Sequence, residues 1–194
     1  MTLVIAYIGS KGAVVAGDMR EIIFPVGEGK MADLEKELYS GRITNDGDLA
    51  RRAEELGVRI LVRDDKNKVG KRKDGILTGE VAKFEKGVVS RRRIYAAAGR
   101  YAIAEFSGDR IVSVTQKDGP AFIVFGNDIA KKIANGIIRE HWKNGTLADA
   151  VRIIVLAMES AGQKTASVSR AFAVEQTTAR PDLFAIVDRE TKRA

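Results

Sequence analysis

The opening twenty residues do most to limit the fold. Leu3 to Ile8 and Ala13 to Ala16 are β-rich apolar runs separated by Gly9-Ser10-Lys11-Gly12, which reads as a hairpin. A three-residue loop Ser10-Lys11-Gly12, with Gly12 in the left-handed position of a bulged turn, is the expected connection. Side chains alternate along a strand, so this register sets Thr2 opposite Arg20 with Asp18 on the same face. A two-residue loop would put Asp18 on the other face. In the favoured register three polar residues converge at one end of a strand pair.

Residues 31–57 read as helical, with Leu34, Leu38, Leu49, Ala53 and Leu56 as the apolar stripe, a break at Gly41 and a stop at Gly57. Strands are predicted at Val58–Val62, Ile76–Phe84 and Val88–Ala98, with the charged, Gly-containing segment Asp64 to Asp74 as a mobile loop. One or two strands fall within Tyr101–Val114, and Phe122–Phe125 ends at Gly126. Asp128 to Lys143 carries Ile129, Ile133, Ile137 and Trp142 along one helical stripe. Thr146 caps a second helix, with Asp149 as its capping-box partner and Gly162 as its stop. Strands at Arg170–Thr177 and Leu183–Val187 and a charged tail follow. No repeat or linker divides residues 1–194, so the expectation is one α+β layered domain with a helical insertion at 31–57.

Composition removes several chemistries. The chain has no Cys, which excludes thiolate nucleophiles, disulfides and cysteine metal sites. Its one histidine, His141, excludes multi-histidine metal sites and reads as a surface residue near a helix end. No cofactor and no metal are expected. No stretch approaches a membrane span and residues 2–8 are too short for a signal h-region, so a cytoplasmic protein is the expectation. The net charge of +7 would favour acidic partners, with Lys66 to Lys73 and Arg91-Arg92-Arg93 the densest basic runs. Few aromatics accompany them, which argues against a stacking platform for nucleic acid.

Thr2 is the candidate nucleophile. A small residue after the initiator Met permits removal of that Met, leaving an α-amine beside the threonine hydroxyl. An α-amine has an ordinary pKa near ~8 and is partly neutral at physiological pH, so it can serve as general base. Asp18 and Arg20, at the end of the partner strand, would orient the amine or a neighbouring cation. Ala96-Ala97-Ala98-Gly99 ends a strand in small residues, and Gly99 could offer its N–H to a developing oxyanion. Thr165, Ser167 and Ser169 form a hydroxyl-rich link able to support the amine through hydrogen bonds.

These segments resemble a known superfamily. Thr2 to Arg20 is similar to the first hairpin of proteasome β subunits and other N-terminal-nucleophile hydrolases. Tyr95 to Gly99 resembles the strand ending in their oxyanion glycine, and Thr146 to Thr177 their last helix, turn and next strand. Together these cover about half the chain. More narrowly, Gly17-Asp18-Met19-Arg20-Glu21, Leu34-Glu35-Lys36-Glu37-Leu38-Tyr39, Phe122-Ile123-Val124-Phe125-Gly126-Asn127 and Thr165 to Ser169 resemble the connectases, archaeal proteasome homologues of methanogens. The resemblance implies an αββα sandwich and a protein ligase. Thr2 would cleave a Lys-Asp-Pro-Gly-Ala-type sequence, hold the N-terminal fragment as an amide and pass it to another N-terminus. The implied substrate is the A subunit of the methanogen methyltransferase complex.

The departures from that pattern are informative. Thr165 stands where proteasome subunits carry an acidic residue. Lys30, Lys73 and Lys83 are all conceivable as the catalytic lysine, and none is assigned. Gly99 to Gly126 leaves no room for the two long helices of proteasome subunits, so residues 31–57 are expected to rebuild that layer, and a monomer is expected rather than a barrel. The extra C-terminal domain of some connectases is not expected. An N-terminal-threonine peptidase or amidase is the alternative reading. A non-catalytic module binding nucleic acid through Arg91–Arg93 and Lys66–Lys73 is a second.

Overall fold

A computed structural model describes residues 3–24, 30–85 and 87–191. β1 (Leu3–Gly9) and β2 (Gly12–Asp18) form the predicted hairpin and are buried along their whole length. A strand apolar on every residue must be covered on both faces, and this pair is. β10 (Ala121–Gly126) flanks β1 and β11 (Phe172–Thr177) flanks β2, giving an antiparallel sheet in the order β10-β1-β2-β11. One face, with Leu3, Ile5, Val14 and Ala16, packs on α3 (Asp128–His141) and α4 (Leu147–Lys164). The other, with Val4, Ala6, Ile8 and Val15, packs on Leu77, Val81, Ile94 and Ala96 of a second sheet.

That second sheet has the order β5-β6-β7-β8-β9. Its strands are β5 (Val69–Lys71), β6 (Leu77–Glu85), β7 (Val88–Ala97), β8 (Arg100–Ser107) and β9 (Arg110–Asp118). Its outer face meets α5 (Leu183–Thr191) through Tyr95, Ala97, Ala102, Leu183 and Val187. The layers are therefore helices, sheet, sheet, helix. β3 (Glu21–Ile23) and β4 (Leu61–Arg63) pair as a small separate ribbon.

The hairpin turn differs from expectation. Gly9 pairs with Gly12 and Val4 with Gly17, so the loop is the two residues Ser10-Lys11. One step further along this register brings Asp18 level with Leu3. Gly12 does not have positive φ. Its lack of a side chain serves close packing: a Cβ there would lie 2.7 Å from Leu147 Cδ2 and 2.8 Å from the Thr177 carbonyl oxygen.

The helical segment 31–57 holds α1 (Met31–Ser40) and α2 (Asp46–Glu55), with Gly41 and Gly57 at φ +84° and +66° as stops. These helices do not rebuild the layer on the second sheet, which α5 covers. They form their own core of Leu34, Leu38, Leu49, Ala53 and Val58, with Ala166 from the segment after α4. Val58 thus belongs to this core, and the strand expected at Val58–Val62 is reduced to Leu61–Arg63.

Three further expectations change. The segment Asp64 to Asp74 contains β5, so it is not only a loop. α4 continues past Gly162 to Lys164; glycine is needed there because the Ser169 carbonyl oxygen would sit 2.8 Å from a Cβ. Leu183–Val187 is helical, because Leu183 and Val187 fall on one buried stripe at i,i+4 spacing, and so short an apolar run does not reveal its period. Thr146 and Asp149 do form the capping box.

Candidate active site

Thr2, the predicted nucleophile, lies outside the described residues. Its covalent neighbour Leu3 does not. The Leu3 N–H donates to Asp18 Oδ1 at 2.7 Å, across the open end of the hairpin. Asp18 is fully buried and also accepts from the Arg20 N–H (2.9 Å to Oδ2) and, weakly, from the Ser169 N–H (3.4 Å to Oδ2). A carboxylate removed from water requires such donors.

A cation completes the arrangement, and it is Lys68. Its Nζ donates to Asp18 Oδ1 (3.1 Å), the Asp18 carbonyl (2.8 Å) and the Arg20 carbonyl (2.7 Å), which uses all three ammonium protons. Burial pushes the Lys68 ammonium below the ordinary lysine range, while Asp18 opposes that shift. Lys68 comes close to Asp18 because the residue before Asp18 in β2 is glycine: a Cβ at Gly17 would lie 2.8 Å from Val69 Cγ1 and 3.2 Å from Lys68 Cβ. Lys30 precedes α1, Lys73 is exposed between β5 and β6, and Lys83 lies on β6. Nothing in a run of Lys66, Lys68, Lys71 and Lys73 singles out Lys68 by sequence; only its tertiary partner does.

Arg20 is spent on structure. Its guanidinium donates to both oxygens of Asp64 (2.8 Å each), both of Asp46 (2.5 and 3.1 Å) and the Ala166 carbonyl (2.7 Å). These contacts raise the Arg20 pKa further and hold the Asp64 carboxyl below the usual range. Neither Asp46 nor Asp64 stands out in the sequence, because each is one acidic residue among several neighbours.

The hydroxyl turn after α4 is fully engaged. Ser169 Oγ accepts from the Met19 N–H (2.9 Å) and donates to the Ala171 carbonyl. Thr165 Oγ1 and Ser167 Oγ are 2.9 Å apart, and Asn127 Nδ2 donates to Ser167 Oγ at 2.8 Å. Asn127 caps α3 directly after Gly126, which pairs with Leu3. The start of β1 therefore lies between the Asp18–Lys68 cluster and the Asn127–Ser167–Thr165 chain. Asn127 reads from sequence as a helix cap, which it also is.

Gly99 is not part of this cluster. Its N–H is bonded to the Gly9 carbonyl at 2.9 Å, at the turn end of the hairpin. Leu3 to Gly9 is six strand steps, about 20 Å. Gly99 instead borders a second cavity of about 500 Å³ with Arg100 and Arg180. His141 sits in the last turn of α3, about 20 Å of helix from Asn127. Among the described residues no group of three His, Cys, Asp or Glu is placed to hold a metal ion.

Beside Lys68 opens a cavity of about 870 Å³. Its lining includes Val69, Thr78 and Ala82 from the second sheet, Ile22 of β3, Phe24, and Tyr39 of α1. Arg93, the last of the basic run Arg91–Arg93, also lines this cavity, and each residue of the run has an acidic partner: Arg91 meets Asp109, Arg92 Glu105 and Arg93 Glu80.

The fold is shared with known structures. The eukaryotic HslV of Trypanosoma brucei matches with a TM-score of 0.50 at 13% identity, covering 90% of this chain and 98% of that one. Anbu, the ancestral beta-subunit, from Yersinia bercovieri matches with a TM-score of 0.52 at 9% identity, covering 99% and 93%. Both place the sandwich in the proteasome-β-like, N-terminal-nucleophile-hydrolase fold. No curated protein sequence matches the chain. The family model described as "Connectase MJ0548-like, N-terminal domain" matches residues 1–192. With that match over nearly its whole length, on a fold that presents a buried Asp–Lys pair beside its first strand, the chain belongs to the connectase family.

Proposed function

We propose that the protein is a sequence-specific protein ligase in which Thr2, freed by loss of Met1, is the nucleophile. The observation that carries this is the bond from the Leu3 N–H to buried Asp18, itself paired with Lys68. The Leu3 nitrogen is bonded to the Thr2 carbonyl carbon, so a charged, water-poor cluster lies one residue from the nucleophile.

The α-amine takes the Thr2 hydroxyl proton as Oγ attacks the substrate carbonyl carbon. The scissile C–N bond breaks and the departing amine takes up that proton. The acyl group then moves from Oγ to the Thr2 α-amine, which passes one of its own N–H protons to Oγ as the ester C–O bond breaks. The resulting amide resists water. Reversal with a different N-terminal amine releases a fused product and restores Thr2. A positive charge such as that of Lys68 disfavours protonation of an α-amine brought near it, and Asp18 holds Lys68 in place. By resemblance to connectases, the recognised sequence is of the Lys-Asp-Pro-Gly-Ala type and the natural partner is the methyltransferase A subunit of methanogenic archaea. The expected form is a cytoplasmic monomer.

Intact-mass spectrometry of protein beginning at Thr2, with a peptide carrying that sequence, should show an adduct that a second peptide releases as a fusion. Hydrolysed fragments without exchange would instead make it an N-terminal-threonine peptidase. Tight, salt-sensitive nucleic-acid binding that survives Thr2→Ala would favour the binding-module reading. The acidic partners of Arg91–Arg93 and the burial of Lys68 speak against that reading.

A further inference from the structure

Arg20 offers nothing to a substrate. A guanidinium has five N–H donors, and all five of Arg20's are used on Asp46, Asp64 and Ala166. The side chain is only 5% exposed, whereas those of its partners Asp46 and Asp64 are 68% and 43% exposed. Such a buried, doubly bidentate Arg has a fixed place, and its backbone is fixed with it. That backbone is part of the site: the Arg20 N–H bonds Asp18 and the Arg20 carbonyl bonds Lys68.

We infer that Asp46 and Asp64 are positioning residues, which clamp the Arg20 guanidinium and so hold the backbone that orients Asp18 and Lys68. Asp46 opens α2, within the helical segment inserted at 31–57, and Asp64 follows β4. The insertion is thereby tied to the site by charge. The role rests on the ligase reading, but the geometry it fixes is open to measurement without a substrate.

The groups facing Lys68 set the sign of the effect. Asp18 comes from the end of β2, Glu21 from β3 and Asp64 from beyond β4, and the Arg20 carbonyl also accepts from Lys68. Removing the Asp64 charge takes away a favourable neighbour and leaves Arg20 less compensated. Both changes make Lys68 harder to protonate.

The test follows the Lys68 ammonium by NMR titration in D46N and D64N, with K68R identifying its resonance. Thermal unfolding and transfer rate are measured on the same proteins. The Lys68 midpoint should fall in D64N and less so in D46N. Transfer should slow about tenfold with KM little changed, as expected for loss of a charged hydrogen bond, and its pH profile should shift with the Lys68 midpoint. D64E should restore much of each. Because the Asp46 side chain is mostly exposed, D46N carries the test through transfer rate if D64N does not fold. Unchanged Lys68 titration and transfer in folded variants, whatever their melting temperatures, would overturn the inference and leave the ligase reading intact. A shifted Lys68 in a protein that transfers no peptide would do the reverse.

Discussion

The two ends of the β1–β2 hairpin invite the same functional reading from sequence and are built on opposite principles. At the open end Asp18, Lys68 and Arg20 put titratable groups out of water and satisfy them with backbone, with one another and with two aspartates. At the turn end Gly9, Gly12, Gly99 and Gly119 bring bare backbone together: Gly99 donates to Gly9 and accepts from Gly119. Small residues allow close approach at either end, so glycine does not mark chemistry. Buried charge does, because it is costly unless something requires it.

The sharpest way to break this contrast is at Asp18. Asp18→Ala leaves Lys68 without its counter-charge and three backbone N–H groups without an acceptor. Breaking a buried pair in this way costs about 3–5 kcal/mol, read by urea unfolding, and transfer should vanish. Lys68→Met should cost less, about 1–3 kcal/mol, because Asp18 keeps its N–H donors. Transfer should still fall by more than tenfold. Equal transfer in wild type and Lys68→Met would remove the lysine from the mechanism.

At the other end, Gly99→Ala tests the oxyanion expectation. Gly99 has φ +80° with open space around a would-be Cβ, so the cost is conformational only, about 1–2 kcal/mol. Transfer per folded molecule should not change. A large loss of transfer at unchanged stability would return Gly99 to the site and erase the distinction between the two ends.

Local signals were legible and long-range ones were not. The hairpin, the helix stops at Gly41 and Gly57 and the Thr146–Asp149 box rest on neighbours within a few residues, where turn and cap chemistry is direct. Asp18 stands out by its place at the end of β2, and Thr165, Ser167 and Ser169 as a hydroxyl-rich link between α4 and β11. The turn length failed because Gly12 answers to Leu147 and Thr177, far along the chain. Lys68 failed because its run offers four lysines of equal standing. α5 failed because five apolar residues fit either period until the sheet beneath them is known.

The smallest effect expected is at low pH, and it too separates the ends. Arg20 lowers the pKa of Asp64 below its unfolded value, so the folded state binds that proton less readily than the unfolded chain does. The resulting stabilisation is complete above the ordinary aspartate pKa of about 4 and is lost as pH falls through the lower folded value. Asp64 is partly exposed, which weakens the effect through solvent screening. Urea unfolding midpoints at pH 7 and pH 3 should differ less in Asp64→Asn than in wild type. Gly99→Ala, which touches no titrating group, should keep the wild-type difference. If Asp64→Asn also keeps it, Asp64 is no tighter a partner of Arg20 in the folded protein than in the unfolded chain, and the open end of the hairpin is less firmly clamped than its geometry indicates.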